Sequence, residues 1–369
     1  MERSDDAAAS GGSVLVSRFS ALGDVAMTLP SLYEACRTFP KRKFVMLTRK
    51  HPASVFVNAP DNLVVKGIDT DLYRGPAGLW RLSGELQHEF KFDTYVDLHD
   101  VVRTRLLRLF MRLRGVKHIR HIVKGRSDKR ALTRRHNKVL LPLPATLLRY
   151  ADTFRRAGMP LSGSGEEAFS TVFKRRRPDP SIFLEASDPK APGEVWIAIA
   201  PFARHQGKIY PSDLLKQVVD RYAPLPFHRI FLFGAGEKEA AQLDMLRDGR
   251  PNIVNLARVK LGIPAELSLL SFCDVMLSMD SANMHLASLV GLPVVSVWGA
   301  THPYAGFMGW KQSDRDAVQL DMVCRPCSVF GNKSCHRGDY HCLRGISPQR
   351  IIDRLDSRLK ERTGDGPEE

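Results

Sequence analysis

Four loops in this 369-residue chain concentrate side chains able to do chemistry. The first is RFSALGDVAMTLP, Arg18–Pro30, where a strand ends at Phe19, Gly23 allows a tight turn and Asp24 opens a helix. Asp24 in that place is an N-cap, a general base, or both. A carboxylate at the positive end of a helix stays ionised, as a base requires. The second is APFARHQGKIYP, Ala200–Pro211. Backbone N–H groups and Lys208 at a helix entrance suit a phosphate, although a surface loop with an ordinary lysine has the same spacing. No Walker A pattern is present, which argues against P-loop NTP hydrolysis. The third is FGAGEKE, Phe233–Glu239, a weak dinucleotide signal because the full G-x-G-x-x-G is missing. Glu237 or Glu239 there accepts from ribose hydroxyls or simply favours the helix N-terminus. The fourth is MDSANMHLA, Met279–Ala287. Asp280 ends a strand and suits sugar hydroxyls, Ser281 and Ala282 begin a helix whose amides suit an anion, and His285 is a phosphate contact or a core histidine.

These loops need elements to hold them. Short apolar runs rich in Val and Ile alternate with helical patterns, which argues for βαβ units and parallel sheets. Strands are expected at Val14–Phe19, Lys43–Thr48, Leu63–Ile68 and Thr94–Leu98, then at Val195–Ala200, Arg229–Phe233, Ile253–Leu256, Val275–Ser278 and Val294–Trp298. Helices are expected at Asp24–Arg37, 76–90, 101–114, 211–222, 237–247, 264–272, 281–289 and Pro348–Lys360. The expected organisation is a flexible tail over 1–12, a first α/β domain over 13–175, a second over 190–345, and a terminal helix and tail over 346–369. The linker falls within 160–193, around KRRRPDP (Lys174–Pro180), where Gly, Ser, Pro and charge concentrate. In such open sheets ligands bind beyond the carboxyl ends of the strands, so a site is expected in a cleft between the two halves.

Taken in order, RFSALGDVAMTLP, PFARHQGKIYP, FGAGEKE and MDSANMHLASLVGLPVVSVWGATHP make the chain similar to glycosyltransferase family 9, the lipopolysaccharide heptosyltransferases, over most of residues 14–310. The resemblance implies a GT-B fold, two Rossmann-like doubly wound domains facing across a cleft. It implies inverting transfer of heptose from ADP-heptose to the lipid A–core acceptor. The family's catalytic base falls on Asp24, and its donor-binding residues on Ala203, Lys208, Glu237, Asp280, Ser281, Ala282 and His285. Positive loops and Lys208 would stabilise the leaving diphosphate, so no metal is required for catalysis. Two positions depart from the family: Ala282 stands where glycine is common, and Phe202-Ala203 where hydroxyl residues are common.

Composition sets the remaining bounds. The chain is 43% hydrophobic and 26% charged, with 27 Gly and 23 Pro, which describes an ordinary globular protein. The net charge of +15 is uneven. Between Arg103 and Lys138 stand fourteen Lys and Arg and one acid, Asp128. Such a run asks for a polyanionic partner or is a solvated face. The expected contacts are Arg103, Arg105, Arg108, Arg112, Lys117 and Arg120, holding acidic inner-core sugars and phosphates and docking on the anionic inner face of the inner membrane. No apolar run of ~20 residues is visible, and MERSDDAAASGGS lacks an apolar h-region, so a cytoplasmic, peripheral protein is expected. Cys324, Cys327, Cys335 and Cys342 pack into 324–342. They read as a structural Zn²⁺ site, as reduced thiols or as disulfides. Two rival functions are another GT-B enzyme using a different nucleotide sugar, and a nucleic-acid-binding protein with a zinc module. The basic run lacks interleaved aromatics beyond Phe110, and no nucleic acid is expected.

Overall fold

A computed structural model of the chain describes residues 12–163 and 179–363. Residues 1–11 of the expected tail, residues 164–178 of the expected linker with 174–178 of its basic stretch, and the terminal GDGPEE lie outside the described residues. The chain divides into two compact units.

The first unit holds a five-stranded parallel sheet. Its strands are β1 (Ser13–Ser17), β2 (Lys43–Arg49), β3 (Leu63–Ile68), β4 (Phe92–Asp97) and β5 (His118–His121), in the order β3-β2-β1-β4-β5. The central strands are apolar on both faces (Val14, Leu15, Val16, Phe44 to Leu47 and Tyr95 are fully buried), as a sheet covered by helices on both sides requires. Leu79, Leu82 and Leu86 of one helix (Gly75–Phe90) and Leu107 and Met111 of the next (Val102–Leu113) cover one face. Each such side chain contributes about 1.5–3 kcal/mol when fully buried.

The second unit holds six parallel strands, β6 (Val195–Ala200), β7 (His228–Leu232), β8 (Ile253–Asn255), β9 (Val275–Met279), β10 (Val294–Val297) and β11 (Ala317–Val318), in the order β11-β10-β9-β6-β7-β8. In each sheet the strand order reverses beside the first strand. That places a switch point between β1 and β4 in one unit and between β6 and β9 in the other. Ligand loops of open α/β sheets gather at such points.

The expected elements differ from the observed ones in three informative places. The helix expected over Asp24–Arg37 is two helices, Leu22–Ala26 and Leu29–Thr38, because Pro30 has no N–H to donate and occupies the first turn of the second. Strand β5, HIRH, lies inside the basic run and buries only Ile119, so it shows no apolar pattern. The helices Arg126–Thr133 and Thr146–Arg156 were also not expected. Residues Gly125–Pro144 belong to the second unit, not to the first as the expected boundary at 175 required. Lys138 Nζ donates to the Val323 carbonyl at 3.1 Å, Lys129 stands 4.3 Å from the Phe307 ring centroid, and the Leu143 N–H donates to the Tyr304 carbonyl at 2.9 Å. The basic run is therefore split: Arg103 to Lys124 lies in one unit and Arg126 to Lys138 in the other.

Candidate active site

In the first unit, the loop after β1 and the loop after β4 meet at the switch point. Asp24 is the third residue of the helix Leu22–Ala26, not its N-cap, which is Ala21. The carboxylate reaches back: the Ala21 N–H donates to Asp24 Oδ2 at 3.1 Å, the acidic half of a capping box. The same oxygen lies 2.6 Å from an Arg18 Nη. Arg18 is buried, donates to the Leu98 carbonyl at 2.7 Å and stacks 5.9 Å from the Tyr150 ring centroid. Burial works against its charge, and Tyr150 and Asp24 more than offset this, leaving its pKa raised. The Tyr150 hydroxyl donates to the Asp24 carbonyl at 3.2 Å, tying the helix Thr146–Arg156 to this loop.

The loop after β4 supplies His99 and Asp100. The Phe19 N–H donates to His99 Nδ1 at 3.4 Å, so the ring carries its proton on Nε2. Burial, with Arg18 and Lys124 close by, pushes the His99 pKa down to about 3. Asp97, fully buried, accepts from the N–H groups of His99 and Asp100 at 2.9 and 3.0 Å. Asp100 is pushed up by burial, but Arg105 and Arg108 bring it down to about 2.

The six cations expected to bind an acidic acceptor therefore separate. Arg105 and Arg108 lie 3.0 and 3.1 Å from Asp100, so both are committed inside the unit. Arg120 is exposed, and its guanidinium donates to the carbonyls of Arg156 and Ile119 at 2.9 Å. Arg103 stands 5.9 Å from the Phe19 ring centroid, beside the Asp24 loop. Arg112 and Lys117 are exposed.

In the second unit, the loops after β6, β9 and β10 converge. Lys208 ends the 3₁₀ turn Gln206–Lys208, and its Nζ lies 2.8 Å from Asp280 Oδ2. The Thr301 hydroxyl donates to the same oxygen at 2.8 Å. Asp280 is 3% exposed. Lys208 is thus neither a free surface lysine nor remote from the late motif. Ser281 is the N-cap of the helix Ala282–Leu289, where the motif placed it, and its Oγ lies 3.3 Å from Ser278 Oγ. His285 is buried on that helix. Ala203 is half-buried and packs against the core of the unit.

Glu237 lies at the surface of the second unit, in the first turn of the helix Gly236–Arg247. Its two carboxylate oxygens accept from Arg258 Nη1 at 2.7 and 2.8 Å, and its side chain is 81% exposed. Glu239 turns inward and accepts from the Ala235 N–H at 2.8 Å.

The four clustered cysteines line one small pocket with Arg325, Arg337, His336 and His341. All are free thiols, not the disulfides that were one reading. Burial pushes Cys342 up to about 11 and raises Cys327 as well, which favours thiol over thiolate. Among the described residues no three His, Cys, Asp or Glu side chains are arranged to hold a metal ion.

Several residues of these loops were not singled out from sequence. His99 and Asp100 follow the apolar run of β4 as a polar strand end, a signal of the kind that revealed Asp280. Thr301 stands within the WGATHP stretch that follows β10. Arg18 preceded the Gly-Asp motif but carried no separate signal.

Two open parallel sheets, each with charged residues on the loops at its switch point, have the GT-B fold of the solved structures this chain resembles. The model of glycosyltransferase family 9 (heptosyltransferase) matches residues 91–336, and the chain belongs to that family. A lipooligosaccharide heptosyltransferase 2 of Campylobacter jejuni is 27% identical over 137 residues, 36% of this chain and 41% of that protein, so the chain spans about two fifths of the length of that relative. A lipopolysaccharide heptosyltransferase 1 of Pseudomonas aeruginosa is 23% identical over 94% of this chain and 98% of its own. The solved ADP-heptose lps heptosyltransferase II of E. coli superposes with a TM-score of 0.66 at 16% identity, covering 95% of this chain and 99% of that one.

Proposed function

We propose that the protein transfers heptose from ADP-heptose to a lipid A–core acceptor with inversion at the anomeric carbon. The observation that carries this reading is the pair of arrangements at the two switch points, Arg18–Asp24 and Lys208–Asp280–Thr301, in a member of this family. An acceptor hydroxyl attacks the anomeric carbon as the bond to the diphosphate breaks. Its proton passes to Asp24, whose carboxylate plane is held by Arg18 and the Ala21 N–H. General base help of this kind contributes ~10²–10⁴-fold.

On the donor side, Lys208 and the amides at the start of the helix Ala282–Leu289 balance the charge that grows on the leaving diphosphate. Asp280 takes sugar hydroxyls. These groups make a catalytic metal unnecessary, so a chelator leaves the rate unchanged. Arg103 beside the Asp24 loop faces the acidic acceptor. The exposed Arg112, Lys117 and Arg120 favour an anionic lipid surface, where each basic residue contributes about 1 kcal/mol. Replacing these three with serine lowers co-sedimentation with phosphatidylglycerol vesicles. Among the described residues no helix is long and apolar enough to cross a membrane.

The decisive experiment incubates the full-length protein with ADP-heptose and truncated lipid A and weighs the products by mass spectrometry. A heptose-sized mass gain on the acceptor, lost in Asp24→Asn while ADP still raises the melting temperature, supports the reading. An Asp24→Asn protein that still transfers heptose removes Asp24 as base. Stabilisation by RNA alone removes the transferase reading altogether.

A further inference from the structure

The loop that follows β10, residues 298–301, is the keystone of the second unit's site, and its own backbone is held from outside the family motifs. Thr301 of this loop bonds Asp280, and the Ala300 N–H donates to the Gly207 carbonyl at 2.8 Å, so the loop touches both ends of the Lys208–Asp280 pair. All four carbonyls of the loop are taken by residues 325–328. Arg325 Nη2 donates to the carbonyls of Trp298 and Thr301 at 3.1 and 2.9 Å, and Arg325 Nε donates to that of Gly299. The N–H groups of Cys327 and Ser328 donate to the Ala300 carbonyl at 3.1 and 3.2 Å. Arg325 Nη1 donates to the Leu320 carbonyl, and Nη2 also lies 2.9 Å from Gln319 Oε1, so its two hydrogens are shared among three acceptors.

Arg325 is only 3% exposed. A guanidinium has five N–H donors in a rigid fork, and no other side chain could satisfy carbonyls spread over this arc. Backbone spacing reinforces the same link. Gly331 has φ +75°, and a Cβ there would stand 2.7 Å from Lys208 Cγ. A Cβ on Gly207 would stand 2.9 Å from Ala300 Cβ and 3.1 Å from the Gly331 carbonyl oxygen. The cysteine-rich loop thus lies directly against the stem of Lys208.

We propose that Arg325 is a positioning residue for the donor site, which pins the 298–301 backbone so that Thr301 and Lys208 hold Asp280 in one orientation. This rests on the donor role proposed for Lys208 and Asp280. Lysine in place of Arg325 keeps the charge but has one nitrogen and cannot span the carbonyls.

The test uses full-length Arg325→Lys, Thr301→Val and the double variant. Calorimetry reads ADP affinity, steady-state kinetics read the two KM values, and hydrogen exchange reads the amides of 298–301 and 206–208. Arg325→Lys is expected to weaken ADP at least tenfold, raise the donor KM while leaving the acceptor KM unchanged, and speed exchange in both segments. The double variant is expected to bind ADP no more weakly than Arg325→Lys alone, because both changes break one chain of contacts. A variant that melts earlier yet keeps ADP affinity and donor KM within twofold overturns the proposal, as does strict additivity. Should Arg325→Lys fail to fold, Gly331→Ala presses on Lys208 from the same loop, and unchanged ADP affinity there overturns the proposal equally. Should the wild-type protein bind no ADP, the donor reading fails, while unaltered exchange at 298–301 in Arg325→Lys would sink the positioning role by itself.

Discussion

Lys208 Nζ lies 2.8 Å from Asp280 Oδ2, with both side chains largely buried. Removing one partner of such a pair strands the other. Lys208→Met is expected to lower stability by about 3–5 kcal/mol. The double variant Lys208→Met/Asp280→Asn is expected to recover part of that loss, since no uncompensated charge remains, while donor binding stays weak. Denaturant unfolding and ADP calorimetry on the three proteins check this. A double variant as unstable as the single one would show that the pair is not coupled.

Arg18 Nη lies 2.6 Å from Asp24 Oδ2, and in the proposed reaction it orients that carboxylate without taking the proton. Arg18→Met is expected to lower transfer by about 10²-fold, the effect of a small misplacement of a reacting group. Donor affinity is expected to stay unchanged. Single-turnover rates with saturating donor measure the first, and ADP binding the second.

His99 gives the protein an acid sensitivity. Its folded pKa is about 3, against ~6.5 for an unperturbed histidine. Between those values the unfolded chain binds a proton that the folded chain refuses, so stability falls as pH falls from ~6.5 towards ~3. The slope from one such group is up to about 1.4 kcal/mol per pH unit. His302, brought down to about 4 by burial and Arg325, adds in the same direction. His99→Asn is expected to flatten the acid limb of a stability-against-pH curve. A curve parallel to that of the wild type would show that His99 is not responsible.

Glu237 tests a family assignment against geometry. Held by Arg258 and mostly exposed, it is expected to be dispensable: Glu237→Gln leaves the donor KM within twofold. A tenfold rise would return it to the ribose.

Much of this architecture was legible beforehand. Parallel strands buried on both faces must be apolar throughout, so VWIAIA and VLVS announce themselves, and Leu63–Ile68 and Val195–Ala200 fall where expected. Asp280 directly follows β9 and so reads as a loop residue at a carboxyl end; Asp24 and Lys208 stand further along the loops after β1 and β6, and the family resemblance gave them their roles. The pattern failed where burial is thin. Strand β5 hides among basic residues because it is an edge strand with one buried side chain. Arg105 and Arg108, expected to face an acidic ligand, also pair with Asp100, a contact that counting charges along the run does not reveal.

The amino-acid order alone determined the two parallel α/β halves and which loops carry the reactive side chains, because hydrophobic period and strand ends are local properties. Only the tertiary structure decided who meets whom. Asp280 finds Lys208 and Thr301 because β9 lies between β6 and β10, a crossover order that no local pattern encodes. The capture of Gly125–Pro144 by the second unit, and the grip of Arg325 on the carbonyls of Trp298, Gly299 and Thr301, likewise depend on contacts between segments distant in the chain. Such contacts are chosen by the packing of the whole unit.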